Sequence, residues 1–139
     1  MQIGILDPQQ AFCPLCNIDM ESNAHILFTC HFSWGVWMEI LAWGGLKGVL
    51  QNRCTNFIIE WGGLMKCKRS KKLWNLILGC VIWSLWYERN KIKFEQISPD
   101  FNKFIYNLKI RIGIWAKELL GYTEFSTQVF VNYLDAIIS

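Results

Sequence analysis

Sulfur and imidazole donors recur in this chain as Cys13-x2-Cys16-x8-His25-x4-Cys30, inside the stretch FCPLCNIDMESNAHILFTCHF that covers residues 12–32. A segment this short cannot bury a core of its own, and a bound cation is the usual substitute. Two cysteines separated by two residues can turn both sulfurs onto one ion from a tight turn whose amides also donate to them. The other two donors must come from chain that folds back. ESNAHILFTC can do so if Ser22 or Asn23 caps a helical turn carrying His25, with Cys30 just beyond it. His31 competes for the fourth position, but it directly follows Cys30, and adjacent residues rarely reach one metal together. His25 is therefore the preferred ligand.

Donor softness selects the metal. Three thiolates and an imidazole suit tetrahedral Zn2+, whereas calcium and magnesium want oxygens and an iron–sulfur cluster usually wants four cysteines. Four available ligands fill the coordination shell and leave no open position for a substrate, so a single structural zinc is expected at Cys13, Cys16, His25 and Cys30.

The rest of the chain is long enough for one domain. Of its 139 residues 53% are hydrophobic and 18% charged, with eight tryptophans, which excludes a disordered polypeptide. MQIGILDPQQ has neither the basic start nor the apolar run of a signal peptide. We therefore expect a reducing, intracellular setting, nuclear or cytoplasmic, in which cysteines stay thiols. Cys54, Cys67 and Cys80 are dispersed and read as small apolar residues without a role.

Periodicity points to a mainly α fold: a small Cys3His zinc knuckle followed by a bundle of about four helices. Residues 1–11 read as a disordered lead-in, 12–32 as the knuckle, 33–122 as a helical domain and 123–139 as a short C-terminal helix or tail. Ser33 is the predicted cap of a helix that carries Trp34, Trp37, Met38 and Leu41 on one face and stops at Gly44-Gly45. Thr55 caps a shorter one with Phe57, Ile58, Trp61 and Leu64. A long helix runs from about Ser70 to Glu95 and contains LWNLILGCVIWSLWY, 15 residues that are apolar almost all round. A membrane span needs roughly 20 such residues, so a buried helix with neighbours on several sides is preferred over a membrane role. After Pro99, with Ser98 as cap, Phe101, Phe104, Ile105, Leu108, Ile112, Trp115 and Leu119 form one stripe that ends near Gly121. Strand is expected only as short antiparallel pairing around Cys13 and Cys16.

FCPLC, HILFTCHFSWGVW and, farther on, LGCVIWSLWYERNKIKFE together closely resemble the reverse-transcriptase zinc-binding domain of plant non-LTR (LINE-type) retrotransposons and of plant proteins derived from them. The likeness extends over most of residues 12–95. It implies a zinc held by Cys13, Cys16, His25 and Cys30, in a module that usually follows a reverse-transcriptase domain and sometimes precedes a ribonuclease-H-like one. No Tyr-x-Asp-Asp motif is present, and the eleven acidic residues show no catalytic pairing, so polymerase activity is not inherited and no enzyme is expected.

Two functions follow. The first is an accessory module that binds RNA or DNA. Five of the seven residues in KCKRSKK are basic, which makes Lys66, Lys68, Arg69, Lys71 and Lys72 candidate phosphate contacts, or else a solvated loop before a helix. The second is a protein–protein module or vestigial fragment without nucleic-acid affinity, whose apolar surface once met a reverse transcriptase or now meets a second copy. Phe12, Phe28, Phe32 and Trp34 could stack on bases but are read as core.

Overall fold

The computed structural model describes residues 12–47 and 57–138. The predicted lead-in, Cys54 and the Thr55 cap lie outside the described residues. The fold is mainly α, with the Cys3His cluster ahead of a helical bundle. A π-helical turn (His25–Thr29) leads into α1 (His31–Trp43), α2 (Phe57–Gly62), α3 (Lys68–Glu95), α4 (Phe101–Leu120) and α5 (Thr127–Ile138).

Helix ends follow local chemistry. Gly45, at φ +78°, ends α1 in a Schellman motif, with Leu46 N–H donating to Leu41 C=O at 2.7 Å and Gly45 N–H to Ala42 C=O at 3.1 Å. The predicted cap Ser33 lies inside α1 instead: the helix begins two residues earlier behind Cys30, and the Ser33 hydroxyl donates to the Ile26 carbonyl. The long helix starts at Lys68 behind Cys67, ahead of Ser70. At α4 the cap is Asp100 rather than Ser98, with its Oδ1 accepting from Lys103 N–H at 3.1 Å.

The core gathers Val36, Trp37, Ile40 and Leu41 of α1, Phe57 and Trp61 of α2, Leu73, Trp74 and Ile77 of α3, Leu108 and Ile112 of α4, and Phe130 and Leu134 of α5. Trp61 stacks on Trp74 at 4.1 Å between centroids, and its indole N–H donates to the Trp74 carbonyl at 2.8 Å. Gly113 lets α5 approach α4: a Cβ there would stand 3.2 Å from that of Phe130. Leu119, assigned to the α4 stripe, is 66% exposed because Ala116 takes the core-facing position near the helix end. Phe28, Phe32 and Trp34 pack against the core, whereas Phe12 is exposed.

Helix α3 packs against α2, α4 and the π-turn. Its neighbours do not enclose it, however, and Trp83, Trp86 and Tyr87 stay partly exposed. Among the described residues no helix is long and apolar enough to cross a membrane.

Cys80 lies fully buried on α3, and burial pushes its thiol up from 9.0 to about 11. Above the unfolded value the unfolded chain gives up this proton while the folded chain keeps it. The contribution to stability is therefore complete below about pH 9 and is lost as pH rises through 11. The unfolding free energy measured across this window should fall by up to roughly 3 kcal/mol on this account. In Cys80→Ala the decline should be correspondingly shallower.

Candidate metal centre

The first two donors sit in a turn closed by the backbone. Phe12 and Met20 form an isolated antiparallel bridge, the expected short pairing, and Cys13 N–H donates to Asp19 C=O at 2.9 Å. Asn17 N–H donates to Cys13 C=O at 2.7 Å, and Asn17 itself adopts φ +57°, a left-handed conformation that asparagine tolerates. The amides of Cys16 and Leu15 face the Cys13 sulfur.

The other two donors come from the π-turn. Ser22 caps it, its Oγ accepting from His25 N–H at 3.0 Å. Cys30 N–H closes the turn on His25 C=O at 2.7 Å, five residues back. In a regular α-helix residue i+5 would point roughly 140° away from residue i, so widening the turn brings the two side chains back to one side. Cys30 then leaves helical conformation at ψ 140° and becomes the N-cap of α1, where the amides of Ser33 and Phe32 face its sulfur.

These local devices converge. The Sγ atoms of Cys13 and Cys30 are 3.7 Å apart, Cys16 Sγ is 3.4 Å from His25 Nε2, and all four donor atoms lie within 4.8 Å of one another. This is the one such group of His, Cys, Asp or Glu among the described residues, and it could hold a metal ion. His25 Nδ1 lies 3.2 Å from Thr29 Oγ1. Donation from Nδ1 to Thr29 leaves the Nε2 lone pair directed at the cluster, the tautomer a metal ligand requires. His31 is exposed at the start of α1 and stands outside the group.

The contact between the two buried sulfurs favours thiolate at Cys30 and thiol at Cys13. Cys30 is held below the ordinary thiol range, first by the Cys13 thiol and then by the amides of Ser33 and Phe32, while the same bond and burial raise Cys13. A cation bound by both sulfurs would displace the proton from Cys13.

Tertiary contacts fix the knuckle to α3. Cys13, Leu15, Ile26 and Cys30 form a second apolar cluster with Ile92. One turn earlier on the same helix, Arg89 pairs with Glu21 of the spacer between Cys16 and His25, the two side chains being 12% and 17% exposed. Arg89 also donates to Asn90 Oδ1 at 2.6 Å and lies 5.1 Å from the Trp86 ring centroid. Thr29, Glu21 and Arg89 were not singled out from the sequence, and Ser33 was expected there only as a helix cap. The W-x-x-W-x-E-R-N motif carried the signal for Arg89, but nothing local names its partner.

The basic candidates lie elsewhere. Lys66, Lys68, Arg69, Lys71 and Lys72 are all exposed at the start of α3, about 32 Å along the helix from Arg89. Arg69 is engaged within the fold: it pairs with Glu124 and stands 4.1 Å over the Tyr122 ring. Cys67, read from sequence as buried, is exposed here, and the amides of Ser70 and Arg69 lower its thiol.

The sequence matches no family model and no curated protein, and the fold matches no solved structure.

Metal analysis of the purified chain should return one ion per molecule, lost in Cys16→Ser and in His25→Ala. Metal retained by His25→Ala would move the fourth ligand to His31 or elsewhere and overturn the assignment of His25. Arg89→Met should cost about 3 kcal/mol in denaturant, because Glu21 is left as a nearly buried charge without a partner. Adding Glu21→Leu should restore most of that loss.

Proposed function

We propose that this chain is a zinc-stabilised, non-catalytic module of retroelement origin that binds RNA or DNA as an accessory to a reverse transcriptase. The donor geometry supports zinc. Four ligands around Zn2+, with bonds of about 2.3 Å to sulfur and 2.0 Å to nitrogen, give sulfur–sulfur edges of about 3.8 Å and sulfur–nitrogen edges of about 3.5 Å. Two of the six separations, 3.7 and 3.4 Å, agree with those edges, and all four donors lie within 4.8 Å of one another. A shell filled by protein has no place for a reacting water, which favours a structural ion over a catalytic one.

One observation carries the nucleic-acid assignment. Lys66, Lys68, Lys71 and Lys72 crowd the start of α3, and among the described residues none of them has an ion-pair partner. The N-terminal end of a helix is its positive pole, so cations in its first turn, Lys68 and Lys71 among them, oppose the dipole. No ion pair within the described residues offsets this arrangement. A polyanion reverses the sign of the cost, because each phosphate contact releases condensed counterions.

A second reading has its own observation. Phe12, Phe94 and Ile97 line a groove of about 590 Å3 beside the knuckle, and they are 37%, 77% and 42% exposed. Such a surface fits a protein partner, either a reverse-transcriptase domain or another copy of this chain.

Salt titration of single-stranded RNA binding separates the two. Phosphate contacts by the four lysines predict a log–log slope at least as steep as about −2.8, and neutralising the basic cluster should remove about that much of it. A slope near zero for the unaltered chain, together with concentration-dependent dimerisation, would replace the nucleic-acid reading with the protein-partner one.

A further inference from the structure

Distant from the basic end of α3, its C-terminal half and α4 enclose a cavity of about 290 Å3. Lys91 lines it from α3, and Lys103 and Arg111 line it from α4, so cations face it from both walls. Its carboxylates are Glu88 and Asp100, and Asp100 is already committed as the α4 cap. Tyr87 forms part of the wall.

Beside this cavity lies an aromatic surface that the core does not use. Trp83 and Tyr87, one helical turn apart, stack with centroids 5.1 Å apart at 14° and remain 47% and 50% exposed. Trp115 meets Trp83 edge-on at 5.9 Å. Arg111 lies 5.0 Å from the Trp83 centroid, and its guanidinium donates to Ser84 Oγ at 2.7 Å. The platform is therefore fixed before any ligand arrives, which lowers the ordering cost of binding.

We infer that the α3–α4 cleft is a binding site for an unpaired nucleotide of single-stranded RNA or DNA, its base stacked on the Trp83–Tyr87 platform and its phosphate met by Lys91, Lys103 and Arg111. The volume is at the lower end for ligand cavities, which suits a base with one phosphate. Glu88 and Asn107 offer an acceptor and an amide to the edges of a base, while every base has a face on which an aromatic ring can stack. The charge lining the cleft disfavours a protein occupant, since the centre of a protein interface is depleted in charged residues. This inference rests on the nucleic-acid assignment and adds to it a preference for single strands, which the basic cluster alone does not supply.

The test compares a labelled oligouridylate strand with a fully paired RNA duplex on the zinc-loaded chain. Tyr87→Ala should weaken strand binding by about 5- to 150-fold, the range measured for one stacked base, and change duplex binding less than about twofold. Lys103→Glu, an exposed change that leaves the core intact, should weaken the strand in the same selective way. Neutralising the basic cluster should weaken strand and duplex together. Strand affinity unchanged in both Tyr87→Ala and Lys103→Glu would overturn the cleft and leave the basic-cluster assignment standing. No binding of either RNA by the unaltered chain would remove both. A dimer of the unaltered chain that Trp83→Ala disperses would make this face a contact between copies and overturn the inference.

Discussion

The turn that carries Cys13 and Cys16 has no apolar interior of its own, so its conformation depends on what its sulfurs meet. They meet His25 and Cys30, presented by a π-turn whose extra residue per turn sets both side chains toward the same point. Cys30 then serves a second purpose as the N-cap of α1, with its sulfur facing the first amides of the helix. Ligation of a metal ion at these donors and initiation of α1 would thus be one structural event. A cation bound at the four donors would fix the direction in which α1 leaves the knuckle, and α1 supplies Trp37, Ile40 and Leu41 to the main core.

The second constraint is the seat of the knuckle on α3. Ile92 closes the small apolar cluster, and Arg89, three residues before it on the same helical face, holds Glu21 in a nearly water-free pair. A nearly buried ion pair adds little net stability, because desolvation cancels most of the attraction, but it penalises misplacement heavily. Here it sets the register of the knuckle along a helix of 28 residues. This accounts physically for the joint presence in one chain of the cysteine–histidine spacing and the E-R-N motif: one supplies the knuckle and the other the surface that receives it.

Helix α3 also organises what the module presents to its surroundings. Its first turns carry the lysines, its middle is buried against α2 and α4, and its later turns expose Trp83, Trp86 and Tyr87 beside the cleft. The apolar run appeared uniform along the sequence. In the fold it divides into Leu73, Trp74, Ile77, Val81 and Leu85, which are buried, and an aromatic side that is not.

Interactions between residues close along the chain were legible in the sequence by itself. They include the ligand spacing, the Ser22 cap, the Gly44-Gly45 and Gly121 stops and the helical class, each set by geometry within a few residues. Caps were not fixed by the local sequence: Asp100 displaced Ser98 because its carboxylate accepts from Lys103 N–H, and α1 starts behind Cys30 with Ser33 inside it, the Ser33 hydroxyl turning back to Ile26 C=O. Only the tertiary structure decided that Arg89 meets Glu21, that Ser33 turns back to Ile26, that Arg69 is drawn to Tyr122 and Glu124, and which side of α3 stays open. Arg89 and Glu21 are 68 residues apart, and Arg69 and Glu124 are 55 apart. No local periodicity encodes such pairings, which exist only once helices from both ends of the chain pack around one core.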